Sequence, residues 1–128
     1  MRILIIDDDE IIRELLCGTL KRVGHDVYEL ASAMGVARAI FEYDIDAVVV
    51  DLNLPDIDGD KLARALRQHV RGPSLGIVLI SGLSLDELTP LALIAQADSV
   101  LSKANIRAGL EPAIMQACQR RERVARSS

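Results

Sequence analysis

A chain of 128 residues is long enough for one buried core and too short for a second module, and 50% hydrophobic with 27% charged residues is a globular composition. A net charge of −4 and an aromatic content of 2% argue against direct nucleic-acid binding, which needs a basic face and a stacking platform. No apolar run approaches the ~20 residues needed to cross a bilayer, so no membrane association is expected.

Met1-Arg2 leads straight into the apolar run Ile3-Leu4-Ile5-Ile6, so no signal peptide is expected and the cytoplasm is the expected compartment. That run reads as a buried strand, and it ends in Asp7-Asp8-Asp9-Glu10. Ile12, Leu15, Leu16, Thr19, Leu20 and Val23 then recur at helical spacing, with Gly24 as the stop. Val27-Tyr28-Glu29-Leu30 alternates and is more polar, as an edge strand would be. Ser32 is expected to open a second helix whose apolar face is Val36, Ala37, Ile40 and Phe41. Ala47-Val48-Val49-Val50 is a strand covered on both faces that stops on Asp51. A turn through Pro55 and Gly59 leads to a helix carrying Leu62, Ala65, Leu66 and His69. Gly76 to Ser81 is a third fully apolar strand ending on a polar residue. Ser99 to Ser102 is a second edge-like strand ending on Lys103, and a helix from about Ile106 to Arg123 closes the domain. The four arginines Arg120, Arg121, Arg123 and Arg126 read as a solvated helix end. Cys17 and Cys118, far apart in sequence, read as reduced thiols, and His25 and His69 as structural residues.

Between the third apolar strand and the last one, Ser84 with Glu87 matches a capping box that would start a helix at Leu85. Pro90 would then fall in its second turn, whereas Thr89 as the cap would put Pro90 at the first helical position. A short or kinked fourth helix is expected, with Leu91, Leu93 and Ile94 offering more apolar surface than one buried face can take.

Strands alternating with helices specify an α/β fold, a doubly wound five-stranded parallel sheet in a single domain. Placing the three most apolar strands inside gives the flavodoxin-like order 2-1-3-4-5, with its switch point between strands one and three. Asp7 and Asp8 must then stand beside Asp51 in the crevice beyond the strands' carboxyl ends. Carboxylates so grouped repel one another unless a cation neutralises them, and an all-oxygen set suits Mg²⁺. The carbonyl of Asn53 could add a further oxygen. Ser81 and Lys103, at the next two strand ends, bring a hydroxyl and an ammonium to the same place. A carboxylate nucleophile, a hard cation, a hydroxyl and an ammonium together suit phosphoryl transfer onto Asp51.

Over nearly its whole length the sequence resembles the receiver domain of two-component response regulators. The motifs are Ile5-Ile6-Asp7-Asp8-Asp9, Val50-Asp51-Leu52-Asn53-Leu54-Pro55 with Gly59, Ile80-Ser81-Gly82 and Leu101-Ser102-Lys103. The resemblance implies that Asp7 and Asp8 bind Mg²⁺ and that Asp51 accepts phosphate from a histidine kinase or phosphotransfer protein. It further implies that Asn53 coordinates through its backbone and that Ser81 and Lys103 contact the phosphoryl group. It makes the chain a signalling domain that assists its own phosphorylation and dephosphorylation, with residues 1–123 as the receiver and 124–128 as a tail or the start of a linker. Output would run to a downstream effector or a homodimer through the face from the fourth to the fifth helix. Two positions depart from the family: Ala104 follows Lys103 where Pro is usual, and Val100 stands where an aromatic is usual. A trans Lys103–Ala104 bond is expected, with the ammonium displaced from its usual place. Two other readings share the sheet: a hydrolase or nucleotide-binding flavodoxin-like domain, which lacks its Gly-rich turn here, and a receiver-like interaction module working without phosphorylation.

Overall fold

In the computed structural model, which describes residues 1–69 and 74–127, five strands alternate with five helices. They are β1 (Arg2–Ile6), α1 (Glu10–Arg22), β2 (Asp26–Leu30), α2 (Val36–Glu42), β3 (Ala47–Asp51), α3 (Gly59–His69), β4 (Gly76–Ser81), α4 (Leu85–Ala95), β5 (Ser99–Ser102) and α5 (Ile106–Ser127), with a 3₁₀ turn at Lys103–Asn105 before α5. All strand pairs are parallel and the order is β2-β1-β3-β4-β5, as the apolarity of the strands predicts.

The pleat divides the three inner strands between two cores. Leu4, Ile6, Val48, Val50, Ile77 and Leu79 pack against α2, α3 and α4, through Ile40, Leu66, Leu88 and Ala92 among others. Ile3, Ile5, Ala47, Val49, Val78 and Ile80 pack on the other face against Leu16 and Leu20 of α1 and Leu110, Ile114 and Ala117 of α5. Covered on both faces, β1, β3 and β4 must be apolar without alternation, which is why their sequences stand out.

The helices differ from expectation in four places. Ser32 does not open α2: its hydroxyl accepts the Met34 N–H, and the helix starts after Gly35, whose φ of +82° suits glycine. The buried stripe is consequently Val36, Ala39 and Ile40, while Ala37 and Phe41 face solvent, the latter 87% exposed. In α3, Ala63 is buried with Leu62 and Leu66, and Ala65 only partly so; the side chain of His69 lies outside the described residues. The short register of α4 capped by Thr89 does not form. Ser84 caps the helix, its hydroxyl accepting the Glu87 N–H, and Pro90 is carried inside an 11-residue helix. The Thr89 hydroxyl instead donates back to the Leu85 carbonyl at 2.7 Å. Finally α5 runs on to Ser127, and Arg121 is buried in place of being solvated.

The reason for the last departure is Asp98, just before β5. Its backbone N–H donates to the Ile77 carbonyl at 2.7 Å and its carboxylate accepts the Ile77 N–H at 2.8 Å. The same carboxylate draws in Arg67 at 2.6 Å and Arg121 at 2.7 Å. A buried carboxylate demands such partners, which accounts for the burial of Arg121. Structural roles also account for His25, whose Nε2 lies 3.0 Å from the Glu111 carboxylate. The exposed apolar side chains of α4 include Leu93 and Ile94, at 72% and 62%, while Leu91 is half-buried.

Gly59 opens α3 directly under the end of β3, its N–H donating to the Leu52 carbonyl at 2.7 Å. A Cβ here would lie 2.7 Å from Leu52 Cα and would collide with the Asp51 carbonyl oxygen. Both obstacles are backbone, so the chain must move to accommodate it. Gly59→Ala is expected to lower the unfolding free energy by about 2–3 kcal/mol, the cost of overpacking a rigid site, measured by urea titration at unchanged m-value. Wild-type stability in that variant would show that the turn has slack.

Candidate functional site

The parallel register sets the site. Ile6 of β1 pairs with Val50 of β3, so Asp7 and Asp51, the next residues, emerge side by side at the carboxyl edge. Asp51 pairs with Ile80 and Ser81 with Ser102, which carries Ser81 and Lys103 to the same edge. Of the acidic run after β1, Asp9 is the N-cap of α1, accepting the N–H groups of Ile11 and Ile12 at 2.9 and 3.2 Å. Asp7 is fully buried and Asp8 exposed. One oxygen from each of Asp7, Asp8 and Asp51 lies within 4.8 Å of the others, the set of carboxylates that the sequence brought together.

Asp7 Oδ1 accepts the Asp9 N–H at 2.9 Å, whereas Asp7 Oδ2 is buried without a hydrogen bond. The Lys103 ammonium sits 3.3 Å from Asp7 Oδ2 and 3.3 Å from Asp51 Oδ2. It reaches both across a trans Lys103–Ala104 bond, so the ammonium stays on the acidic cluster without the usual Pro. Asn53 lies close by through its backbone, its N–H donating to Asp51 Oδ1 at 3.4 Å. Ser81 is buried and its Oγ accepts the Leu83 N–H at 3.2 Å. One contributor went unread in the sequence: Arg13 of α1 donates to the Asp7 carbonyl at 2.8 Å, pinning the chain where it leaves β1. The only signal for it is its place one turn into α1, on the side facing β2, where it also pairs with Glu29.

Burial, with the neighbouring Asp7 charge, pushes the Asp51 carboxyl up from 3.8 to about 6, against the opposing pull of Lys103 and the Asn53 N–H. Burial alone would lower Lys103, but the Asp51 and Asp7 charges outweigh it and hold its pKa above the ordinary value. The thiols take no part: burial foremost raises Cys17 to about 12 and Cys118 to about 11. A buried carboxylate oxygen met by the Lys103 ammonium but by no hydrogen bond, in an all-oxygen cluster with more negative charge than one lysine can neutralise, fits a hard divalent cation such as Mg²⁺.

The family model described as the response regulator receiver domain matches residues 3–115. The chain belongs to the response regulator receiver family. It is similar to the transcriptional regulatory protein GltR of Pseudomonas aeruginosa, 34% identical over 101 residues that make up 79% of this chain and 42% of that protein. It is also similar to the sensor histidine kinase RcsC of Salmonella typhimurium, 32% identical over 103 residues, which cover 80% of this chain and 11% of that protein. The crystal structure of a CheY-like receiver domain from Methanospirillum hungatei superposes with a TM-score of 0.80 at 28% identity, covering 95% of this chain and 96% of that one. The chain thus spans less than half the length of these curated relatives. It is a receiver domain of the two-component type, and its acidic cluster fits the phosphoacceptor site of such a domain. No described helix is long and apolar enough to cross a membrane.

The raised Asp51 value carries a pH dependence. The native carboxyl binds its proton more tightly than the unfolded chain does, so ionisation costs stability as pH rises from about 4 to about 6. The cost is complete above that window and absent below it. In metal-free buffer Asp51→Asn is expected to be more stable than wild type above pH ~7, by on the order of 2 kcal/mol, with the difference vanishing below pH ~4. Thermal melts across this range check it, and equal stability at neutral pH would show that Lys103 already neutralises the cluster.

Proposed function

We propose that Asp51 is the phosphoacceptor, taking a phosphoryl group from a histidine kinase or a histidine phosphotransfer protein. One observation carries this reading above the others: the Lys103 ammonium bridges the Asp7 and Asp51 carboxylates at 3.3 Å each, while Asp7 Oδ2 is buried without a hydrogen bond. An Asp51 oxygen forms the bond to phosphorus as the phosphorus–nitrogen bond of the donor's phosphohistidine breaks, and the imidazole leaves with a proton. In this reading the Ser81 hydroxyl and the Lys103 ammonium meet the oxygens of the transferred group, the second neutralising charge as it moves onto Asp51. Mg²⁺ held by Asp7, Asp8, Asp51 and the Asn53 carbonyl supplies further neutralisation when bound. The domain assists its own phosphorylation and dephosphorylation and turns over no separate substrate.

The matches to a transcriptional regulator and to a sensor kinase support a domain that works beside effector or kinase modules in the cytoplasm. Residues 1–123 form the receiver in this reading, and 124–128 a tail or the start of a linker. Output runs through the α4–α5 face to a downstream effector or a second copy, by a conformational change. Leu85, Leu93 and Ile94, all exposed, supply apolar surface there. Direct contact with nucleic acid or membrane has no part in it.

Two measurements test this. With a small phosphodonor and Mg²⁺, intact mass spectrometry is expected to show addition of one phosphoryl group to wild type and none to Asp51→Asn. An unchanged adduct in that variant would place the nucleophile elsewhere, and no adduct in wild type would favour a receiver-like module that works without phosphorylation. Separately, millimolar Mg²⁺ is expected to raise the melting temperature of wild type and to leave Asp8→Ala nearly unmoved, since binding to the native state alone stabilises by mass action. Equal shifts in both proteins would move the cation off this cluster.

A further inference from the structure

The arginine run at the end of α5 builds a second charged site at the opposite end of the sheet. Arg120 and Arg121 meet Arg67 of α3 around the wholly buried Asp98. Asp98 Oδ2 accepts from Arg67 Nη2 at 2.6 Å and from the Ile77 N–H at 2.8 Å. Asp98 Oδ1 lies 2.7 Å from Arg121 Nε, off the hydrogen-bond line, and 3.6 Å from Arg120 Nε. Three guanidiniums therefore share one carboxylate, a local excess of two positive charges.

Each guanidinium carries five N–H donors, far more than one carboxylate can satisfy. Arg67 also donates to the Leu75 and Gln96 carbonyls at 2.6 and 3.2 Å. Arg120 and Arg121 have no ion-pair or hydrogen-bond partner but Asp98 among the described residues. Burial, and then the Arg121 and Arg120 charges, lower the Arg67 pKa against the pull of Asp98, so the cluster repels itself. The three arginines line a cavity of about 240 Å³ with Leu93, Gln96 and Ala97. Asp46 and Glu122 line a separate cavity beyond Arg121, and neither pairs with it.

We propose that this cavity binds a phosphate-type oxyanion, gripped by the guanidiniums of Arg120 and Arg121. Planar guanidinium forks match phosphate oxygens two at a time, and a twofold charge excess suits a dianion over a monoanion. The buried Asp98 acts as the anchor that holds the forks in place while it leaves most of their donors unspent. The site is independent of the phosphoacceptor, which repels anions until a cation is bound.

The test is an NMR titration of the full chain with inorganic phosphate, in metal-free buffer near neutral pH at constant ionic strength, with acetate as the monoanion comparison. Saturable shifts are expected in the amides of Leu93, Gln96, Ala97, Arg120 and Arg121, with residues 7–9 and 51–53 far less affected. Half-exposed Arg120 can be changed without opening the core, and Arg120→Gln is expected to weaken phosphate binding by about fivefold or more while its spectrum stays that of a folded protein. The absence of saturable shifts at the cavity at tens of millimolar phosphate would overturn the proposal. So would equal binding of acetate, or wild-type affinity in Arg120→Gln.

Discussion

The repulsion between Asp7 and Asp51 is the constraint on which the rest of this domain depends. Parallel pairing of β1 with β3 sets Asp7 and Asp51 side by side at the carboxyl edge of the sheet. Everything around them answers that charge. Asp9 and Arg13 lock the chain leaving β1, Gly59 lets α3 start beneath β3, and Lys103 spans from the far edge of the sheet. Burial first, and then the Asp7 charge, raise the Asp51 carboxyl to about 6, and the lysine offsets only part of that. A site left unbalanced in this way is suited to a divalent cation and to an incoming phosphoryl group.

Much of this was legible before any coordinates. Strands buried on both faces cannot hide their composition, so β1, β3 and β4 declare themselves and the strand order follows. Once the order is known, the carboxyl-edge residues Asp7, Asp51, Ser81 and Lys103 need only the register to bring them together. What escaped depends on contacts between segments distant in sequence. Ala37 and Phe41 sit at a plausible helical spacing, but α2 begins at Val36 and turns them to solvent. Arg121 looks like any arginine at a helix end until Asp98, 23 positions away, is seen to be buried beneath it. In α4 two local signals compete, and the Ser84–Glu87 box prevails over Thr89–Pro90 because the longer register buries Leu88, Ala92 and Ala95.

The two ends of the sheet carry opposite imbalances. Carboxylates exceed their one lysine at the carboxyl edge, and guanidiniums exceed their one carboxylate at the amino edge. In both, a fully buried aspartate is the fixed element and longer basic side chains reach in from other segments. This division follows from reach: a short side chain on a strand end has little freedom, while Lys and Arg can span the crevice from a neighbouring element.

Pro90 gives α4 a joint. Without an N–H there, the Asp86 carbonyl loses its partner four residues on, so the turn held by Ser84 and Glu87 is tied to the rest of the helix by one rung fewer. Both halves are anchored in the core, by Leu88 before the proline and by Ala92 and Ala95 after it, and the amino-terminal turn follows closely on Leu83, whose N–H donates to Ser81. The joint therefore lies between two fixed points, the Ser81–Leu83 contact and Leu88 on one side and the Ala92–Ala95 face on the other. The exposed Leu85 lies on the near side of the joint, and Leu93 and Ile94 on the far side.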